Sequence, residues 1–592
     1  MRDVIIIGAG GGGPVVAKEL AERGLDVLVL EAGARHANPE QEWSYLENHM
    51  NSTLTGKFRV GPSDPTRPGW FRELTKPGSI SQVAGVGGTT LHYYGNSPRA
   101  MPGVFAGYRG ADRNLYDTRF RFPFTYDEMR PYYEWTEATL PVQTAAMGKK
   151  EKAFFDSAEA AGLSPLTGKD VTRAGFRPQE NAILQPGGNA GKTRDSSQLR
   201  YPDATGCTFC GHCFQGCQIP KGAPRNLKAR RSTDNSYIPM ALTADLYKPG
   251  GKAVTLLSDA YVTRIISDRP RFSLGRVARG VEWRDTNTGE THSEEARVVI
   301  MAGGCIENPR LWHNSELPDF NGWVGRGLTD HALDWVVGQF PHDVGGTEGA
   351  ASSSRADFPG YGSIENTANM PAIHANNLSD SNTGIRSLYD NGQANTGSWD
   401  GKSGRVYGTE LKDMMSDVNR LMAVLILTDD DVEYQNRVDV SQAFTDEHGP
   451  VARVRMEKRN RSRRTVRNRN YLTNRAAEIL RAGGASKIIR MDWNPVLLHM
   501  QSSMRMGDSA RNSVLDENCE ARAVEGLYIA DHSALPNAIG GPNPTLTSQA
   551  LATRTAEKIF QKHFGGDSWV SRESPVSSIN DAVTRAVIQR GI

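Results

Sequence analysis

Three glycines near the start of the chain have the spacing that a phosphate-binding turn requires. Gly8, Gly10 and Gly13 follow the apolar run 3–7. Without a Cβ, the first permits a tight turn, the second lets the backbone approach a pyrophosphate, and the third lets a helix lie close to the strand. Glu31 lies 23 residues after Gly8, at the end of the next apolar run, in place to accept hydrogen bonds from ribose hydroxyls. The pattern predicts dinucleotide binding and does not separate FAD from NAD.

A second cluster with chemical potential consists of cysteines. Four of the six cysteines fall within eleven residues, at Cys207, Cys210, Cys213 and Cys217. The run is close to the ligand run of bacterial ferredoxins, although Gln218 and not proline follows its last cysteine. Interleaved glycines let such a loop turn its sulfurs to one side. The spacing predicts an iron–sulfur cluster, and structural zinc, two disulfides or a loop without metal stay open as alternatives.

The elements that must position these residues indicate an α/β (α+β) fold. Runs 3–7 and 26–30 are predicted strands, and the amphipathic segment between them completes a β-α-β unit. Further short strands are predicted around 296–304 and 526–531, and a long helix is predicted from Thr545 to Phe564. Pieces from the start, the middle and the end of the chain must therefore build one Rossmann-like sheet.

Composition and charge narrow the class of protein. The 592 residues are 38% hydrophobic and 23% charged, which suits a loop-rich α/β enzyme of more than one domain. The net charge of +2 gives no reason to expect a nucleic-acid partner. No apolar run is long enough for a transmembrane helix, and no secretory leader is recognisable. The sequence predicts a cytoplasmic location, with export alongside a partner subunit as the alternative.

Several segments carry a family resemblance when they are taken in order along the chain. They are the glycine-rich segment 84–94, the segment 324–331, and the C-terminal segments 499–507, 526–531 and 543–547. Together these segments resemble the glucose–methanol–choline (GMC) oxidoreductases. The resemblance implies FAD, a discontinuous Rossmann-like FAD-binding domain, a separate sheet-based substrate domain, and oxidation of alcohols. One departure is that Ala84 or Gly85 stands where the family has a basic residue.

The resemblance also implies a division of the chain. We expect residues 1–100, 200–335 and 495–566 to form the FAD-binding domain, with a cysteine-rich loop at 206–218. Residues 101–199 and 336–494 would form the substrate-binding region. Within it, 341–408 are rich in Gly, Ser, Asn and Asp and are predicted to be surface loops or a lid. Residues 567–592 are predicted to be a polar tail.

The family positions assign roles to individual residues. His499 matches the catalytic histidine, a suitable base because an imidazole titrates near neutral pH. Asn543 matches the second catalytic position and would hold the substrate oxygen; it also reads as an N-cap. The helix after it would point its positive end at the flavin. Flavin contacts are expected at Gly87, Gly88, Thr89, His92, Asp531, Pro544 and Thr545.

Two of these features resemble sugar-active members of the family. Pyranose 2-oxidases have a histidine at a place similar to His92, where it carries the flavin covalently. A covalent link, a non-covalent flavin contact and a structural role all stay open here. FAD-dependent bacterial glucose and gluconate dehydrogenases carry an iron–sulfur cluster in an insertion similar to the cysteine loop.

The resulting functional prediction is oxidation of a primary or secondary alcohol on a sugar or glycoside. His499 would take the hydroxyl proton while hydride passes to flavin N5. The electron acceptor stays undetermined among oxygen, a quinone and a cytochrome. Alternatives are a steroid or long-chain alcohol oxidase, a flavoprotein that uses FAD structurally, and an electron-transfer subunit that docks a cytochrome.

Overall fold

The first sheet is assembled from distant parts of the chain, as predicted. In the computed structural model, the strand Arg2–Ile7 pairs in parallel with Val27–Leu30 on one side and Thr291–Met301 on the other. The helix Gly13–Ala21 connects the first two of these strands. Residues 4–7, 27–30 and 298–301 of these strands are buried and apolar, because helices cover this part of the sheet on both faces. The α/β class is confirmed.

Eight strands make up this sheet. Their bounds in spatial order are Val524–Glu525, Arg276–Asp285, Thr291–Met301, Arg2–Ile7, Val27–Leu30 and Thr255–Leu257, with Leu527–Ile529 and Ala260–Asp268 paired off this path. The residues described throughout the chain are 1–43, 59–64, 66–75, 79–144, 147–184, 206–379, 397–400, 406–456, 462–492 and 496–592.

A second, antiparallel sheet of six strands stands beside the first. Its spatial order is Lys487–Arg490, Asp334–Gln339, Leu421–Thr428, Gly362–Thr367, Ser352–Phe358 and Gly175–Pro178. The helices Lys149–Ala160 and Arg463–Ala482 pack against it through buried aliphatic and aromatic side chains.

The prediction of surface loops over 341–408 is wrong for part of that range. Ser352–Phe358 and Gly362–Thr367 are buried over their whole lengths, inside the six-stranded sheet. Their polar sequences predict exposed loops. The strands are nevertheless buried, because their Arg, Asp and Glu side chains are paired with one another and with distant residues. Residues 380–396 and 401–405 of the same range lie outside the described residues.

Smaller sheets and further helices complete the fold. A three-stranded sheet joins Arg437–Asp446, Gly449–Arg455 and Glu73–Leu74, and two short pairs join Val496–Leu497 with Ser79–Ile80 and Gln143–Thr144 with Glu180–Asn181. The remaining α-helices are Pro39–Glu42, Tyr126–Thr139, Tyr237–Leu242, Ala244–Tyr247, Gly304–Asn314, Pro371–Ser379, Gly408–Ser416, Thr545–Phe564 and Asp581–Arg590.

The long C-terminal helix has the predicted bounds but not the predicted cap. It runs from Thr545 to Phe564, and Pro544 occupies the residue before its first turn without a side-chain hydrogen bond. The expectation that Asn543 caps the helix is therefore wrong, because its carboxamide contacts Glu365 instead. The helix packs on Gly13–Ala21 and on Tyr126–Thr139.

The expected polar tail is partly built into the fold. Trp569 is buried, and the helix Asp581–Arg590 buries Val583 and Val587 against Met240. Within the described part of the chain, no helix is both long enough and apolar enough to span a bilayer.

Candidate active site

One cavity of about 630 Å³ lies where the two sheets meet. Most of the residues that the sequence singled out line it, although they come from all parts of the chain. They are Gly8, Gly10, Glu31, Gly88, Thr89, His92, His499, Asp531, Asn543 and Thr545. Gly13, Gly87 and Pro544 do not line it.

The first glycine turn has the tight geometry that its spacing predicts. Gly8 has a φ of +103°, and a Cβ there would lie 2.5 Å from the carbonyl oxygen of Ala302. A Cβ at Gly13 would lie 2.1 Å from the carbonyl oxygen of Gly8. A Cβ at Gly10 would meet little, with the Cα of Gly88 nearest at 3.9 Å. The first and third glycines are thus needed by the fold, and the second leaves space open toward the cavity.

The second glycine segment is packed directly onto the first. Gly87 donates its N–H to the carbonyl oxygen of Ala9 at 2.8 Å. Gly88 has a φ of +48°, and a Cβ there would lie 2.6 Å from the Cα of Gly10. The two segments, nearly eighty residues apart in sequence, therefore form one continuous glycine-lined wall.

The Glu31 carboxylate ties these turns together. It accepts backbone N–H groups from Ala9 at 2.7 Å, Gly33 at 2.9 Å and Gly85 at 2.8 Å. Burial raises the pKa of Glu31, and the three N–H donors oppose that shift. Its predicted contact with a ribose stays a prediction, but the carboxylate has a clear structural role.

Asp531 joins the end of one strand to the start of a helix. Its carboxylate accepts the Gly304 N–H and the Asn308 side-chain amide, each at 2.8 Å, and also binds Ser533. The negative charge at the N-terminus of the helix Gly304–Asn314 is favourable because the helix dipole is positive there. Burial raises the pKa of Asp531.

His499 projects into the cavity beside a second histidine. The Nδ1 atoms of His499 and His331 lie 3.0 Å apart, so one imidazole donates to the other. Burial lowers the pKa of His499 well below its ordinary value, and His331 and His532 lower it further. His499 is therefore neutral at neutral pH, the state in which an imidazole can accept a proton.

The Asp330 carboxylate fixes the backbone of this histidine pair. It accepts the N–H groups of Leu498 and His499 at 3.0 and 2.9 Å, and that of His331 at 2.8 Å. Two segments that are about 170 residues apart are thus locked in one register. Sequence reasoning assigned no role to Asp330 or His331; their place in the family-like segment 324–331 was the available signal.

Asn543 lies between the cavity and a buried carboxyl group. Its carboxamide contacts Glu365, whereas its Oδ1 is buried with no hydrogen-bond partner among the described residues. Glu365 is fully buried and also binds Asn96 at 2.9 Å and Arg355 at 3.2 Å. Sequence reasoning missed Glu365 because no local pattern marks a carboxylate whose partners are so distant in sequence.

His92 is buried at the wall of the cavity. Its ring stands edge-on to Phe214, with 5.3 Å between the ring centroids. Burial lowers the pKa of His92 to about 3, and the nearby Arg230 guanidinium contributes to that shift. The imidazole is therefore uncharged over the physiological pH range.

The four cysteines of the loop line one small pocket together. Among the described residues, no three Cys, His, Asp or Glu side chains are placed to hold a metal ion together. All six cysteines are free thiols, so the alternative of two disulfides in the loop is not realised. Burial raises the pKa values of Cys207, Cys210 and Cys213, so these thiols are protonated at neutral pH when no metal is bound. The fold thus gives the metal prediction for Cys207, Cys210, Cys213 and Cys217 no support.

The cavity fits a dinucleotide by its own geometry. The glycine-lined wall admits close approach, and the helix Gly13–Ala21 begins there with no acidic residue in its first turn. The C-terminal helix also begins at the cavity, where Thr545 and Ser548 line the wall. Two helix N-termini therefore face the site, and each favours bound negative charge. A two-sheet fold with this site defines the class of dinucleotide-binding proteins.

Comparison with known proteins identifies the family. The GMC oxidoreductase models match residues 110–333 and 433–552, and an FAD-binding domain model matches residues 3–39. The chain belongs to the GMC oxidoreductases, and the predicted resemblance is confirmed.

Individual relatives are distant but match along the whole chain. The chain is 25% identical to 2-methyl-1,2-propanediol dehydrogenase of Mycolicibacterium austroafricanum, over 95% of each chain. It is 26% identical to paromamine 6'-oxidase of Streptomyces fradiae, over 94% of this chain and 91% of the relative. A crystal structure of formate oxidase shares the fold with a TM-score of 0.57 at 12% identity, over 95% of this chain and 99% of that one.

Proposed function

We propose that this protein oxidises a primary or secondary alcohol on a sugar or glycoside, with FAD held in the cavity. The observation that carries the proposal is a neutral His499 and a carboxamide, Asn543, in the wall of one cavity with both glycine segments. FAD, when bound, supplies the hydride acceptor. The turns at Gly8–Gly13 and Gly87–Gly88 would hold it, with the helix that begins at Thr545 beside it.

The protein's part of the chemistry is to remove the hydroxyl proton. An alcohol is a very weak acid, so a base must take its proton as the carbinol hydrogen leaves. The hydrogen bonds of His331 support Nε2 of His499 as that base. The Ala538 carbonyl, 3.3 Å from His331 Nε2, can only accept, and so calls for hydrogen on that nitrogen.

The tautomer of His499 follows from that of its partner. The Gln501 amide nitrogen is also 3.3 Å from His331 Nε2, and one of its two N–H groups donates to the His499 carbonyl at 3.0 Å. The proposed tautomer follows the Ala538 carbonyl, which can only accept a hydrogen bond. With hydrogen on its Nε2, His331 accepts through Nδ1 from His499 Nδ1–H. The Nε2 of His499 then keeps its lone pair for the substrate proton.

The wall contributed by the second sheet and a neighbouring helix supports a ring-shaped substrate. It combines apolar and aromatic side chains with two carboxamides: Leu333, Trp335, Ile373, Leu425, Asn376 and Asn377. Binding sites of this kind use apolar walls for contact area and a few polar groups for orientation. An aromatic face suits the C–H face of a pyranose, and carboxamides suit its hydroxyls. The relatives named for a propanediol and for paromamine agree with an alcohol or glycoside substrate.

Anaerobic reduction tests the proposal directly. We expect the purified holoprotein to lose its flavin absorbance when a sugar or glycoside from a panel is added without oxygen. Aliphatic diols, long-chain alcohols and a sterol serve as the other arms of the panel. Bleaching by the sterol or the long-chain alcohols alone would favour the alternative function, a steroid or long-chain alcohol oxidase. No bleaching by any alcohol would contradict the proposed reaction and favour a structural use of FAD.

The electron acceptor of the proposed reaction is oxygen, a quinone or a cytochrome, and reoxidation of the reduced flavin distinguishes them. Reoxidation of the reduced protein by air within seconds, measured by return of the flavin spectrum, would support an oxidase. Reoxidation by a quinone analogue or a cytochrome only would identify a dehydrogenase.

The mode of flavin attachment is open at His92. A neutral His92 imidazole at the cavity wall has a free lone pair, with which it could bond covalently to a flavin carbon. The same imidazole could equally contact the flavin without a covalent bond. Acid precipitation separates the two. Yellow colour in the pellet of the wild type and in the supernatant of His92→Ala would show the covalent bond. Colour in both supernatants would show a contact only.

A further inference from the structure

The two strands that carry Arg355, Asp357 and Glu365 hold a buried chain of ion pairs. Arg177 binds Asp357 at 2.8 Å, and Asp357 binds Arg355 at 2.7 Å. Arg355 reaches Glu365 at 3.2 Å, and Arg177 also pairs with Glu180. All but Glu180 have side chains that are at most 3% exposed. This series of ion pairs ends at Glu365, which contacts the Asn543 carboxamide and thus reaches the active-site cavity.

The charges in this series of ion pairs balance when Glu365 is neutral. The guanidinium groups of Arg177 and Arg355 are matched by the carboxylates of Asp357 and Glu180. The two arginines hold the pKa of Asp357 far below its usual value in spite of burial, so that carboxylate is ionised. An ionised Glu365 would therefore add an unmatched negative charge in a fully buried position. Such a charge is costly, and protonation is the usual way to avoid it.

Hydrogen bonding around Asn543 leads to the same conclusion. As placed, the carboxamide leaves its buried Oδ1 with no partner among the described residues. A buried acceptor without a donor costs roughly 1–3 kcal/mol. Rotating the carboxamide by half a turn exchanges its oxygen and nitrogen with little change in shape. The oxygen would then face Glu365, where a carboxylic acid O–H could donate to it.

We infer that Glu365 carries a proton in the working protein and donates it to Oδ1 of Asn543, so that the Asn543 amide nitrogen faces the substrate oxygen. The inference rests on the proposed function and adds a positioning residue to it. In this arrangement Glu365 still accepts from Asn96 and Arg355, and every polar atom of the pair is satisfied. The substrate hydroxyl then meets one acceptor, His499 Nε2, and one donor, Asn543 Nδ2.

This division of labour suits a hydroxyl that loses its proton. The hydroxyl hydrogen points to the base, and the oxygen, as it gains negative charge, receives the amide N–H. With an ionised Glu365 the carboxamide would turn its oxygen to the cavity. Two acceptors would then compete for one hydrogen, and the developing charge would meet a repulsive dipole.

The pKa of Glu365 is raised by burial to about 7, which is consistent with this state. The charged or titratable groups that face it are Arg355, which lowers this pKa, Asp357, which raises it, and Tyr94, whose own pKa burial raises far above neutrality. As the pH rises through about 7, Glu365 loses its proton and the carboxamide turns. The rate of flavin reduction should therefore fall on the alkaline side.

The variant Glu365→Gln tests the inference with two independent measurements on the FAD-loaded protein. Glutamine can donate to Asn543 Oδ1 at every pH, so the fall in kcat above pH 7 should disappear. At pH 6 we expect kcat to drop by less than about tenfold, because the donor is retained but its geometry changes. The overturning result is a kcat drop of a hundredfold or more at pH 6 in a folded Glu365→Gln protein, which would show that the ionised form is needed.

An infrared measurement keeps this test separate from turnover. The wild type should show a carboxylic acid carbonyl band at pH 6 that is missing from Glu365→Gln. The matched control is Glu557→Gln, a part-buried carboxylate whose pKa is lowered by its hydrogen bonds to Tyr132 and to residues 568–570. Its removal should leave the acid band unchanged. An identical band in wild type and Glu365→Gln would overturn the inference, whether or not any alcohol reduces the flavin.

Discussion

Replacing His499 with asparagine should lower the rate of flavin reduction by an alcohol about 10²–10⁴-fold while FAD stays bound. Asparagine keeps a polar group near the place of the imidazole but cannot take a proton. The loss should appear in kcat with little change in KM, because the side chain acts on the reacting hydroxyl and not on the rest of the substrate. Anaerobic stopped-flow absorbance at the flavin band measures the step without the electron acceptor.

The control for this variant is His292→Asn. His292 is an exposed histidine at a strand far from the cavity wall, where it stacks on Trp283. It should reduce flavin at the wild-type rate. A His499→Asn protein that keeps its flavin and works within tenfold of wild type would contradict the role of His499 as base.

The pH dependence of the wild type should carry the same signature. Burial and the neighbouring histidines depress the pKa of His499, so the imidazole stays unprotonated as the pH falls through 6.5. The acid limb of kcat/KM should therefore lie below the pH at which an ordinary histidine titrates. An acid limb at or above pH 6.5 would show that the titrating group is not His499.

The fold around the dinucleotide site could be predicted from local patterns in the sequence. The glycine spacing, the flanking apolar runs and the long helix from Thr545 to Phe564 depend on neighbours within a few residues. Such features are visible in a single sequence because the backbone conformation that requires each glycine is local. The family-like segments then placed His499 and Asn543 at one site, although about forty residues separate them.

The second sheet could not be predicted in the same way. The strand that contains Arg355 is buried and charged, and its polarity is compensated by Arg177, Gln179 and Glu365. A charged residue in a hydrophobicity pattern argues against a buried strand. In the folded protein each of these charged side chains has a partner of opposite charge, up to 180 residues away in sequence. Burial of this kind makes a strand look like a loop. The same reason hid Glu365, the residue on which the orientation of Asn543 depends.

Replacing Gly10 with valine should give a folded protein that has lost FAD. Gly10 has ordinary backbone angles, and a Cβ there has no protein atom closer than the Gly88 Cα at 3.9 Å. The added side chain would instead enter the cavity that the pyrophosphate should occupy. We expect flavin content after purification to fall at least tenfold, an effect of about 1.4 kcal/mol or more on FAD binding.

The thermal midpoint of the apoprotein decides whether this loss comes from the site or from the fold. It should be the same for Gly10→Val and for flavin-stripped wild type, because a Cβ at Gly10 has no protein atom closer than 3.9 Å. Gly168→Val is the matched control, since a Cβ there meets only the Asp170 backbone nitrogen at 4.0 Å and lies away from the cavity wall. It should keep full flavin. A Gly10→Val protein that binds FAD normally would mean that the cofactor does not approach the first glycine turn, and the proposed site would have to move.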